Sequence, residues 1–167
     1  MYIMCGIKIL LTILQTKETG WTYLAIVMDL YDLKIIGWSY GENMTAEIVI
    51  SAFEKAMIAR GLTEGMIFHS DLGSQYTSNE YENLLVKNKV KHSYSKKGYP
   101  YDNASMESFN AILKKEEVNV NTYTTFKEAK LAIFEFIESW YNNTRIHSTL
   151  DYKTPNQKYN EYIKNIA

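Results

Sequence analysis

Two acidic side chains, Asp71 and Glu107, stand where a carboxylate can do chemistry. Asp71 follows the short apolar run Met66-Ile67-Phe68, inside His69-Ser70-Asp71-Leu72-Gly73-Ser74-Gln75-Tyr76. In open α/β sheets, ligands gather beyond the carboxyl ends of strands, which is where this aspartate falls. Glu107 belongs to the start of a helix whose apolar side is Met106, Phe109, Ile112 and Leu113. Asn103, Asn110, Ala111 and Lys114 share its polar side. Such carboxylates suit Mg²⁺, a hard ion that takes oxygen ligands, usually one or two carboxylates with water and substrate phosphate. Two such ions about 4 Å apart can activate a nucleophile and stabilise the leaving oxygen of a phosphodiester. Taken singly, a turn aspartate and a helix N-terminal glutamate are ordinary structural residues. The elements around them decide.

Those elements read as an alternating α/β chain. Lys8 to Thr16, Trp21 to Asp29 and Lys34 to Tyr40 are β-capable stretches joined by short turns, which predicts three antiparallel strands. Thr45 is placed to cap a helix with the stripe Ile48, Val49, Ala52, Phe53, Ala56 and Met57, and Gly61 to end it. Met66 to Phe68 and Val90 to Tyr94 are two further strands. Between them lies a helix capped at Ser78 and carrying Tyr81, Leu84 and Leu85. A helix starting at Asn103 or Ser105 carries Glu107. Thr125 and Glu128 form a capping box for a last long helix with Phe126, Ala129, Ile133, Phe136, Ile137 and Trp140 facing inward. The expected architecture is a five-stranded mixed sheet, three antiparallel strands then alternating helices and strands, flanked by helices.

The chain has 167 residues, enough for one domain with a core. Its net charge of −1 gives no global field to attract nucleic acid. A local run does: Lys87, Lys89, Lys91, Lys96, Lys97, Lys114 and Lys115 stand against Asp102 and Glu107 only. A single cysteine, Cys5, permits no internal disulfide, and no apolar run reaches the length of a membrane span. A cytoplasmic protein without a membrane partner is expected.

The words around the two acids, in their order, resemble the retroviral-integrase-like transposases of bacterial insertion sequences, second-frame catalytic cores of the Asp-Asp-Glu type. The matching stretches are Gly20 to Leu30, Lys34-Ile35-Ile36-Gly37-Trp38, His69-Ser70-Asp71 with Gly73 to Ser78, and Tyr101-Asp102-Asn103-Ala104 with Met106 to Asn110. Leu113-Lys114 and Tyr141-Asn142 with Arg145, His147 and Leu150 complete them. The resemblance implies a ribonuclease H-like fold, with residues 1–150 as the integrase catalytic core (first strand 8–16 degenerate) and 151–167 as a tail. It makes Asp71 and Glu107 the second and third acids of the triad, with thirty-five residues between them, the separation for which the family is known. They would bind Mg²⁺ (or Mn²⁺) and promote attack of water or a DNA 3′-hydroxyl on a phosphodiester. Element-end and target DNA are the implied partners, alongside a second copy of the chain. Gln75, Tyr76, Lys96, Lys97, Asn103, Asn110 and Lys114 are candidates to face that DNA. For His69, filling a polar pocket is favoured over orienting a ligand; for Arg145 and His147, packing and phosphate contact both stand open.

One departure matters most. The first acid of the triad belongs on the first strand, yet no acid occurs between Met1 and Thr16, and its place is taken near Leu10. Cys5 to Thr12 can be encoded so that a shifted frame reads Trp-Asp-Lys-Asp-Ile-Thr-Tyr, close to the family's motif. A frameshift restored by about Ile13 would leave a strand without its chemistry. Asp29 is the nearest substitute acid. The expected function is therefore Mg-dependent DNA cleavage and strand transfer impaired at the first aspartate, or a non-catalytic remnant that folds and binds DNA or a partner. Without the helix-turn-helix segments that find element ends, the chain alone is expected to bind DNA weakly, mostly through phosphates.

Overall fold

Alternation along residues 7–41 builds three of the five strands of the sheet. In the computed structural model, which describes residues 6–61, 67–70, 79–94 and 104–166, β1 (Ile7–Thr16), β2 (Gly20–Asp29) and β3 (Ile35–Gly41) form an antiparallel meander. The β1–β2 register runs from Ile7↔Asp29 to Thr16↔Gly20. Gly20 closes that hairpin at a φ of 80°, a left-handed conformation that favours glycine. Ile7 and Ile9 turn to one face of the sheet, and Leu10 and Leu14 to the other.

α1 (Ala46–Arg60) crosses the first face, burying Ile48, Val49, Ala52, Phe53 and Ala56. Thr45 precedes it in extended conformation, but its side chain makes no capping hydrogen bond, contrary to the sequence expectation. Gly61 ends the helix at a φ of 61°. The helix comes so close to β3 that a Cβ at Gly37 would collide with the backbone of Ala52 and Ala56.

β4 (Ile67–Ser70) and β5 (Lys91–Tyr94), linked through α2 (Asn79–Lys87), pair in parallel and complete the order β3-β2-β1-β4-β5. The expected five-stranded mixed sheet is present. Its second face is covered by α3 (Ala104–Leu113), which runs on as a π-helical turn Lys114–Val118, and by α4 (Phe126–Phe134), which runs on as a π-helical stretch Glu135–Tyr141. The Thr125–Glu128 capping box forms as expected.

The π-helical stretch corrects one core residue. Regular helix spacing from Ile133 and Phe136 puts Trp140 inside. The wider turn delays the inward position by one residue, so Tyr141 is buried while Trp140 is 44% exposed. Residues after 150, expected as a tail, form α5 (Pro155–Ile166). Among the described residues no helix is long and apolar enough to cross a membrane.

Candidate active site between the first strand and the third helix

β1 is the centre of the sheet, and β4 lies beside it over Ile7↔Phe68 and Lys8↔His69. β4 stops at Ser70, so its carboxyl end opens beside the first half of β1. Phe68 belongs to the core under α1, and Ser70 shares its face by strand alternation; His69 turns to the α3 side. The residue that follows Ser70 in the chain is Asp71.

Helix α3 lies along the other face of β1. The Thr12 hydroxyl donates to Asn110 Oδ1 at 2.8 Å. Further on, the Tyr123 hydroxyl donates to Glu117 Oε1 at 2.8 Å, and Tyr123 bridges to Thr16. Going from Asn110 to Glu117 thus follows β1 from Thr12 to Thr16, so helix and strand run in the same direction. Glu107 stands one helical turn before Asn110, a rise of about 4.5 Å. Leu10 stands two strand residues before Thr12, about 6.6 Å back. By this count Glu107 falls about level with position 10 on the α3 side of β1. Glu107 is exposed, and Leu10 is half-buried, packed into the core beneath α3 and α4. The strand β1 forms over the whole of Ile7–Thr16, with Leu10 inside it.

Asp29, the nearest substitute acid, is excluded. It pairs with Ile7, on the α1 face opposite Leu10. There its carboxylate accepts the Tyr31 backbone N–H at 2.9 Å and lies 3.4 Å from Arg60 Nε. The same guanidinium holds the buried Asp32. Burial, then the neighbouring Asp29 charge, push the Asp32 carboxyl above its ordinary value, and Arg60 pulls it partly back. Arg60 also lies over the Tyr159 ring at 3.9 Å, which ties α5 to the end of α1.

A serine–histidine–carboxylate chain, not anticipated from sequence, pins the end of β4. Ser70 Oγ lies 2.7 Å from His92 Nε2, and His92 Nδ1 lies 2.9 Å from Glu82 Oε1. The elements have the hydrogen-bond order of a hydrolytic triad, but Ser70 is wholly buried, so no substrate can reach it. The chain is a latch that fixes β4 to β5 and α2 next to position 71. His92 and Glu82 both lie far from Ser70 in sequence and carry no local signal.

Two candidates resolve into structural roles. Arg145 grips Glu116 through two nitrogens at 3.1 to 3.2 Å, and the Trp140 indole donates to the same carboxylate at 2.9 Å. Burial raises the Glu116 carboxyl, but the Arg145 and Trp140 hydrogen bonds outweigh it and hold the carboxyl below its ordinary value. His147 packs edge-on against Tyr141 at 5.1 Å, and burial, then the Arg145 charge, lower its imidazole below the usual value. Asn142, adjacent to them, gives and takes one hydrogen bond each with the backbone of Ile35, at 2.9 and 3.0 Å. This segment is a clasp that holds β3 to the end of the π-helical stretch.

Of the DNA-facing candidates, Asn110 is engaged by Thr12, and Lys114 is exposed at the end of α3. Asp71, Gln75, Tyr76, Lys96, Lys97 and Asn103 lie outside the described residues. Among the described residues no three His, Cys, Asp or Glu side chains gather as a metal site. A cavity of about 500 Å³ lies between the two π-helical segments, lined by Glu116, Phe136 and Trp140 among others; neither Glu107 nor any residue of β1 reaches it.

The integrase core domain family matches residues 10–100, and a second integrase core domain family matches residues 88–155. The chain is similar to the transposase for insertion sequence element IS904 of Lactococcus lactis subsp. lactis (strain IL1403), 44% identical over 152 residues, 90% of this chain and 60% of that protein. It is similar to transposase InsF for insertion sequence IS3A of Escherichia coli (strain K12), 38% identical over 157 residues, 94% of this chain and 53% of that one. The chain thus spans little more than half the length of these relatives. Among solved structures it is similar to a chain of the simian T-cell lymphotropic virus intasome in complex with PP2A regulatory subunit B56 gamma, with TM-score 0.71 and 18% identity over 92% of this chain and 53% of that one. It is also similar to the HTLV-2 integrase catalytic core domain in complex with magnesium (trimeric form), with TM-score 0.68 and 18% identity over 92% of this chain and 95% of that one. At such identity these structures show a shared fold, the ribonuclease H-like fold of integrase cores.

Proposed function

This chain belongs to the integrase core domain family, with insertion-sequence transposases among its relatives, and we propose that it is a transposase core whose DNA cleavage and strand-transfer chemistry is crippled at the first acid. What supports this reading is the packing of α3 along β1: the Thr12–Asn110 bond lies one helical turn after Glu107 and two strand residues after Leu10. Asp71, next in the chain after the latched Ser70, supplies the second carboxylate.

Such chemistry in this family calls for Mg²⁺ or Mn²⁺ held by three acids. The residues here do not fit a pair of divalent ions. Leucine offers no ligand, and Lys8, on the same face of β1 two residues before Leu10, is buried. What remains is a DNA-facing surface in the cytoplasm. Lys114 and Lys115 are exposed beside Glu107's helix face, and Gln75, Tyr76, Lys96, Lys97 and Asn103 belong to the same proposal. Element ends and target are the DNA partners, and a second copy of the chain is the protein partner. The alternative is a remnant with no chemistry left, which Leu10 favours by filling the core rather than leaving a gap.

The test is a pair of assays on the purified chain. Duplex DNA binding should be weak and fall steeply with salt, and supercoiled plasmid should stay intact in Mn²⁺. Nicking by this chain that disappears in Glu107→Ala would show the site to be intact and the impairment wrong. Absence of DNA binding at low salt would remove the DNA partner.

A further inference from the structure

Trp140 is turned out of the core and then held where it lands. Regular helix spacing would put it inside, and the π-helical stretch Glu135–Tyr141 leaves it 44% exposed. π-Helical turns within α-helices occur often at functional sites. The exposed ring is not loose. Its indole N–H donates to Glu116 Oε2 at 2.9 Å, and Arg145 grips the same carboxylate at 3.1 to 3.2 Å. A tryptophan already fixed at the surface loses little rotamer freedom on binding, and such rings anchor protein interfaces.

This ring walls the cavity of about 500 Å³ between the two π-helical segments. The volume is that of a pocket able to enclose a ligand, about 300–1,000 Å³. The buried Phe136 adds an apolar lining. The charged lining is Lys115, Glu116, Glu117 and Glu135. Arg145 balances Glu116, so two carboxylates remain against one ammonium. Of these two, Glu117 already accepts the Tyr123 hydroxyl. Glu135 is exposed, and among the described residues no side chain pairs with it. An apolar lining, an open indole face and a spare carboxylate are what a guanidinium on an aliphatic stem requires. The ring takes the flat cation on its face, and the carboxylate takes its N–H fork.

We infer that this cavity docks an arginine side chain carried on an apolar segment of a protein partner. The excess of carboxylate repels phosphate, which sets this surface apart from the proposed DNA face around Lys114. Lysine fits less well, because its compact, strongly hydrated ammonium cannot stack on the ring.

The experiment is an NMR titration of the whole chain, following its three tryptophan indole N–H resonances. The resonance that disappears in Trp140→Phe identifies the cavity. The probe is a capped Leu-Arg-Leu peptide, compared with the same peptide carrying citrulline, which keeps the shape of arginine without its charge. The arginine peptide should shift the Trp140 resonance saturably at millimolar concentration and leave those of Trp21 and Trp38 in place. The citrulline peptide should bind at least about fivefold more weakly. Glu135→Gln, an exposed change that leaves the melting temperature unaltered, should weaken the arginine peptide about threefold. No saturable shift by the arginine peptide would overturn the site. Equal affinity for the two peptides would overturn the arginine and leave only an apolar groove. Displacement of the peptide by duplex DNA would overturn the protein partner.

Discussion

A carboxylate placed at position 10 would enter a half-buried, apolar setting under α3. Leu10→Asp should therefore destabilise the chain by about 1–3 kcal/mol in EDTA, read by urea unfolding. No measurable loss would mean that the side chain at position 10 points to water. Asn142 makes the opposite kind of residue-scale claim. Its amide serves both the N–H and the C=O of Ile35, all three groups buried. Asn142→Ala strands two backbone groups and should cost about 2–4 kcal/mol in the same measurement. At this scale the sequence shows which residues are acids and which are missing. It does not show their partners. Asp29 could be named as a stand-in ligand, but that Arg60 claims it on the far face depends on where α1 ends, which spacing does not give.

Elements were legible where a single period ruled them. The alternation of β1 to β3, the stripe of α1 and the capping box of α4 all follow from local sequence, and each forms. The π-helical stretches were not legible, because a 3.6-residue period carried through them puts Trp140 where Tyr141 sits. The contact of α1 on β3 is also an element-scale feature. Gly37→Ala must push the backbone of Ala52 and Ala56 away and should cost about 1–3 kcal/mol, with α1 amides losing hydrogen-exchange protection first. The clasp around His147 adds a pH dependence. Its folded-state proton affinity lies below the ordinary value of 6.5, through burial first and Arg145 second, while Glu116 pulls the other way. The unfolded chain then binds more protons than the folded one below about 6.5, so stability is full above that pH and falls as pH drops through the folded value. The urea midpoint should fall between pH 7.5 and 5.5 in the parent and fall less in His147→Phe.

On the scale of the molecule, two cores sit on the two faces of one sheet, one closed by α1 and α2 and the other by α3 and α4. This division is what lets the proposed loss of the first acid leave the fold intact. The residues of β1 alternate between faces, so Ile7 and Ile9 feed one core and Leu10 and Leu14 the other. The fold class was readable because that alternation survives; the buried Lys8 was not, because a lysine in a strand looks like a surface residue until its face is covered. The face of β1 that meets Glu107 is the even-numbered one, and this parity is the claim on which the site stands. Mn²⁺ titration of Leu10→Asp against Leu11→Asp tests it directly. Binding should appear in the Leu10→Asp chain, vanish there on Glu107→Ala, and be absent from the Leu11→Asp chain. Binding by the Leu11→Asp chain, or binding at position 10 that ignores Glu107, would contradict the placement of the site.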